Sequence, residues 1–401
     1  MVTVNSRRLA VLAIVFCWAH WVSTAHADWA TCRSKPTRNC LVEEALHGDA
    51  APLAGKDRLD VLIQADAYNH VEYATSADIE EAQRQATPTP VGYGYAILAI
   101  RGLVAANHTQ RAADLVASFH GPIQSVAFLE LTRTLAKAGD VDTAAALLDR
   151  IGPALDATTR GYLGQTRVVE TVKALAEVGK IEDALPLVIS ARGFPEVDVA
   201  QMQMTVAQAY AKRGNTKTAQ SLFNVAGQTL EEGRRYAFGS AADAFQAASI
   251  SLSALRGDVE AVRAGLQQLQ SPPAENPAMD RIAANNRGQY YQRIVYSLLQ
   301  TKQFPLALEV AKSAPDSIRD ATLALVNSIS AANGRIGEAR TALALLGDNV
   351  APKVRAVAVR NIAVAMAKAG NLIPAVEMAE QVTDPTCRKG ALFAIAQTLP
   401  N

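Results

Sequence analysis

Val206-Ala207-Gln208-Ala209-Tyr210-Ala211-Lys212-Arg213-Gly214-Asn215-Thr216-Lys217-Thr218-Ala219 is the stretch on which the fold turns. Its first eight residues form an alanine-rich segment with apolar side chains at helical spacing. Gly214, without a Cβ, suits the left-handed conformation that ends a helix. Asn215 can cap a following helix. Ala219, five residues after the glycine, stands where that second helix would cross the first, and a larger side chain would hold the two apart. Leu222, Phe223 and Ala226 continue its apolar face.

The pairing of a turn residue with an alanine five positions on recurs along the chain. It runs Gly139 to Ala144, Gly179 to Ala184, Gly334 to Ala339 and Gly370 to Ala375. Weaker copies run Asn107 to Ala112, Arg256 to Ala261 and Lys302 to Ala307, and the most degenerate runs Ala77 to Ala82. From Ala77 onward the spacings are 30, 32, 40, 35, 42, 46, 32 and 36 residues, the range of a helical solenoid. Aromatic residues make up only 5%, and alternating β-branched runs bounded by turn residues, the mark of a sheet, are missing. The chain is therefore expected to be all-α and built of stacked hairpins.

The copy from about Gln201 to Glu231 resembles a tetratricopeptide repeat. Ala207 and Tyr210 stand in its first helix, Gly214-Asn215 in its turn, and Ala219, Phe223 and Ala226 in its second helix. The resemblance implies an α-solenoid of about nine antiparallel hairpins in a right-handed superhelix that serves as a binding scaffold. HEAT-like repeats are the nearer rival, since Pro315 to Ala324 and Pro385 to Ala394 place an Arg before an apolar helix face. In the tetratricopeptide register the first helix of each pair lines a concave groove. That register points Arg133, Lys173, Gln201, Gln208, Lys212, Gln289, Gln292 and Arg360 toward the groove, with Tyr296 from the cluster Tyr290, Tyr291 and Tyr296. Amide and basic side chains there would suit an extended peptide or an acidic partner segment.

The N-terminus reads as an export signal. Arg7 and Arg8 precede an apolar run from Leu9 to Val22, and Ala25-His26-Ala27 has the small-x-small form of a cleavage site. Cleavage after Ala27 would make residues 1–27 a signal peptide and place the protein in a periplasm or outside the cell. The apolar run is shorter than the ~20 residues a spanning helix needs, so no integral membrane segment is expected after cleavage. Loss of the two arginines takes the balance from 39 basic and 38 acidic residues to 37 and 38, a net charge of −1. That lacks the basic surplus of a nucleic-acid footprint. In an oxidising compartment Cys32 and Cys40 are expected to form a disulfide, which leaves Cys387 over as a small, half-buried residue at a helix start or, less favoured, a reactive thiol.

Residues 28–90 are expected to form an N-terminal cap with the disulfide and a degenerate first repeat. Residues 91–401 are expected to hold the repeats and a last helix over the open end of the stack. Ser271 to Asn286 reads as the longest polar loop. No HExxH, GxSxG, Walker loop or CxxC is present. Asp66 and His70, one helical turn apart, make half a metal site at best. Gly92-Tyr93-Gly94 lacks the third glycine of a dinucleotide fingerprint, where Ile97 stands. No catalytic residue, metal or cofactor is therefore expected. The expected function is an exported scaffold for an envelope protein or peptide. A cell-wall-associated enzyme or its relic and a structural homo-oligomer are the alternatives.

Overall fold

The computed structural model describes residues 29–47, 51–67, 71–87, 92–120, 122–140, 142–143, 168–191, 193–237, 240–269 and 277–400. The expected signal peptide, His70 and the segment 144–167 lie outside them. The described chain is helical, and its sole β feature is an isolated bridge between His47 and Pro52.

Four helices open it: α1 (Trp29–Ser34), α2 (Arg38–Leu46), α3 (Gly55–Gln64) and α4 (Ser76–Gln85). The middle holds α5 (Gly92–Ala105), α6 (Thr109–Ser118), α7 (Pro122–Ala138), α8 (168–177), α9 (Ile181–Ser190) and α10 (Glu196–Lys212). Next come α11 (Thr216–Arg234), α12 (Ser240–Arg256), α13 (Val259–Leu269), α14 (Pro277–Gln300) and α15 (Phe304–Lys312). The chain closes with α16 (Asp316–Ala332), α17 (Ile336–Ala344), α18 (Pro352–Lys368), α19 (Leu372–Glu380) and α20 (Pro385–Ala396).

The turns between paired helices follow one pattern. Gly214 has φ +81°, and the next N–H, of Asn215, donates to Tyr210 O at 2.9 Å. That bond satisfies a carbonyl the helix end would otherwise leave open. Asn107, Gly139, Gly179, Gly257, Lys302, Gly334 and Gly370 also have positive φ, each followed by the same backward bond. Asn215 Oδ1 then accepts from Thr218 N–H at 3.2 Å, Asp140 Oδ1 from Thr143 N–H at 3.1 Å and Asp258 Oδ1 from Ala261 N–H at 3.0 Å. These side chains cap the second helices as their residue types suggest. Ala112, Ala184, Ala219, Ala307, Ala339 and Ala375 are all buried, whereas Ala144 lies outside the described residues.

Two copies differ from the expected register. Gly257, not Arg256, takes the left-handed conformation, so Val262 is the buried residue at the crossing. Ala77 lies inside α4, and the start of that helix is set by Thr75, whose hydroxyl accepts from Asp78 N–H. The polar stretch expected to run as a loop to Asn286 is already helical from Pro277, the start of α14. A proline in a first helical turn loses no hydrogen bond, so Pro277 opens this helix and does not break it.

Packing divides the helices into two rows. One row runs α3, α5, α7, then α8, α10, α12, α14, α16, α18 and α20. Within it α3 touches α5, α5 touches α7, and each helix from α10 to α20 touches the next in the row. Arg133 and Lys137 of α7 reach Glu177 of α8, and Val172 and Leu175 of α8 share a core with Met202 and Val206 of α10. The row then returns on itself, because α20 packs on α3 and α2. The other row holds the second helices, and α1 joins its ends by touching both α19 and α2.

The last helix is therefore not a lid over an open end. It fills the place beside the first hairpin, and Leu41, Val61 and Leu62 share one core with Ile362, Leu392 and Ile395. Polar contacts bind the same seam. Trp29 Nε1 donates to Glu380 Oε1 at 3.2 Å, Arg33 Nε lies 3.0 Å from Glu380 Oε2, and Lys389 Nζ donates to His47 O at 2.5 Å. Cys32 and Cys40 form the expected disulfide, tying α1 to α2 at this point.

Candidate partner-binding surface

The row that begins with α3 lies on the concave side. Lys212 at the end of α10 donates to Gln300 Oε1 at the end of α14 at 3.2 Å, past the intervening α12. Helices two places apart can meet in this way only where their row curves inward. Tyr296 of α14, 48% exposed, sits close enough to Arg133 of α7 and Glu177 of α8 to feel both charges.

A charged and aromatic patch results. Arg133 lies 3.1 Å and Lys137 2.9 Å from the same Glu177 oxygen. Burial works to raise the Glu177 pKa, but the hydrogen bonds from Lys137 and Arg133 carry it below the usual carboxylate value. Lys173 holds Glu170 at 2.7 Å, one turn away on α8. Burial raises the Tyr296 phenol, helped by Glu177. Deeper in, Arg293 of α14 faces Asp198 of α10. Burial pushes the Asp198 carboxyl up against the opposing pull of Arg293 and Lys173, and it pushes the Arg293 guanidinium down.

The expected groove residues divide accordingly. Arg133, Lys173 and Tyr296 come together in the patch, and Lys212 reaches Gln300, one turn beyond Tyr296 on α14. Gln201 and Gln208 are half-buried along α10, Gln292 is half-buried on α14, and Gln289 is exposed there. Arg360 is elsewhere: it is buried at the seam, with Nη1 donating to Gln64 O at 2.6 Å and Nη2 to Asn361 Oδ1 at 3.1 Å. Tyr290 and Tyr291 are core residues. Sequence reasoning passed over Glu177, Asp198 and Arg293. The stripe Gln289, Arg293, Tyr296 and Gln300 has strict helical spacing and would have pointed to Arg293 in place of Gln292.

Other ionisable clusters hold helices together. Arg58 of α3 binds Asp78 of α4 through Nε at 3.0 Å, and the same carboxylate accepts from Thr75 N–H at 2.8 Å. Arg101 of α5 binds Glu130 of α7 at 2.6 Å, both largely buried. Among the described residues no group of three or more His, Cys, Asp and Glu is placed to hold a metal ion, and no helix is long and apolar enough to cross a membrane. Asp66 lies in the turn after α3 with φ +63°. Cys387 is 4% exposed, its Sγ 3.4 Å from Gln64 Oε1, and burial followed by the hydrogen bond to Asp384 pushes its pKa up to about 12. A thiol so held stays protonated, the opposite of a reactive one.

No protein-family model matches the chain, and no curated protein matches it significantly. Among solved structures it is similar to Ton1535 from Thermococcus onnurineus NA1, with 14% identity, 86% of this chain and 99% of that chain covered, and a TM-score of 0.23. A likeness at that score carries no argument about function.

Proposed function

We propose that this protein is an exported, tetratricopeptide-like scaffold that binds an envelope protein or peptide along its concave row and performs no chemistry of its own. The observation behind the reading is the gathering of Arg133, Lys173, Lys212 and Tyr296, from four helices far apart in sequence, on the inward side of alanine-rich helices. A surface of charges, amides and one exposed tyrosine ring suits an extended, partly acidic segment. Export is supported by the signal-like N-terminus and by the Cys32–Cys40 disulfide, a bond at home in oxidising compartments. Assembly through the chain ends is disfavoured, because the faces it would use are covered within one chain.

The test is a crosslinking pull-down from the envelope fraction with the mature protein, read by mass spectrometry. The expected result is one or two envelope proteins crosslinked at Lys173 or Lys212 and lost in a Lys212→Glu, Tyr296→Ala variant. Empty pull-downs at several salt concentrations, or muropeptides released from peptidoglycan by the protein alone, would overturn the reading.

A further inference from the structure

The seam holds a second feature, separate from the concave patch. A cavity of about 310 Å³ opens where α16, α18 and α20 meet the end of α3. An apolar one of about 280 Å³ continues it along the crevice between α16 and α18. Ser328 and Asn361 line both, so the two form one groove with a polar and an apolar half. Together they fall in the about 300–1,000 Å³ range of small-molecule sites.

The polar half has hydrogen-bond donors to spare. Several helices end here, and helix C-termini are electronegative, but three of the carbonyls at these ends are engaged. Ala331 O accepts from Gly334 N–H at 2.9 Å, Ala365 O from Ala369 N–H at 3.1 Å, and Gln64 O from Arg360 at 2.6 Å. Asn361 adds nothing, since its Oδ1 accepts from Arg360 and its Nδ2 donates to Asn327. Gln397 Nε2, by contrast, is buried with no partner. The Ser328 hydroxyl and the Lys368 ammonium make no hydrogen bond or ion pair within the described chain. Asp66 is the lining's one carboxylate against Arg360 and Lys368. A buried donor left open costs free energy that an acceptor would recover.

We propose that this groove binds a small organic carboxylate with an apolar body. Lys368, Gln397 and Ser328 meet the carboxylate, and the body lies on Ala324, Val354 and Val357. The site exists only because the chain ends meet, since Gln397 and Asp66 come from opposite ends of the sequence. It does not depend on the scaffold reading.

The experiment is calorimetric titration of the full mature chain with octanoate, and with octylamine as the same tail bearing the opposite charge. Octanoate is expected to bind saturably, and octylamine at least about tenfold more weakly. Lys368→Glu is expected to weaken octanoate by about tenfold, and Ser328→Trp to block the junction of the two halves. Both residues are exposed, and an unchanged thermal midpoint in each variant confirms folding. Sensitivity to either variant supports the site. Absence of saturable octanoate binding at millimolar concentration, equal binding of octylamine, or indifference to both variants overturns it.

Discussion

Lys302 does with a side chain what Gly214 does without one. Both sit in the left-handed region, at φ +60° and +81°, but an L-residue with a Cβ costs roughly 1–2 kcal/mol there. Lys302→Gly is therefore expected to stabilise the protein by about 0.5–1 kcal/mol, and Gly214→Ala to cost about 1 kcal/mol. Urea unfolding measures both, and equal midpoints for the two variants would contradict the assignment. Cys387 carries a second expectation at this scale. Its folded pKa is raised from 9.0 to about 12, so the neutral thiol's contribution to stability is complete below pH 9. It fades as pH climbs from there toward 12. Cys387→Ala should flatten the fall in stability over that window, and iodoacetamide at pH 8 should label the native thiol only after unfolding.

Among the helices, α20 lies close against the end of α3 at Gly390. A Cβ there would meet Gln64 Cβ at 2.6 Å, Gln64 C at 2.8 Å and Ala65 N at 2.9 Å. Two of these are backbone atoms, so relief needs α20 to move off α3. Gly390→Ala is expected to cost about 1–3 kcal/mol, the scale of overpacking. Gly337→Ala on α17 is the control, because its Cβ would meet nothing within 4 Å. It should be neutral or stabilise by up to about 1 kcal/mol through helix propensity. A Gly390→Ala variant as stable as wild type would mean that α20 does not pack on α3 as described.

At the level of the whole molecule, the joined ends make distant parts of the sequence one cooperative unit. Trp29 and Arg33, in the helix tied by the disulfide, both hold Glu380 at the end of α19. Reducing Cys32–Cys40 is expected to remove about 2–3 kcal/mol, the loop-closure value for so short a loop. Hydrogen exchange should then quicken in α19 and α20 as well as in α1 and α2. Deleting residues 385–401 should expose Leu41, Val61 and Leu62 and strip protection from α2 and α3. Loss of protection confined to the truncated end would contradict the closure.

The sequence by itself determined the helical class, the hairpin turns and the disulfide. These rest on neighbours in the chain: a residue able to turn left-handed, a cap after it, an alanine five positions on, two cysteines eight residues apart. Where that local logic was blurred the reading slipped, by one residue at Gly257 and Val262, and at Pro277, where a helix start looked like a loop. Only the tertiary structure decided how the rows curve and close. Curvature is the sum of small rotations at every helix contact, and no single residue carries it. Hence Arg360 reads from sequence like Arg133 or Lys212, a basic residue on a first helix. The closure buries it at the seam with Gln64, while the inward curve brings the other two beside Glu177, Gln300 and Tyr296.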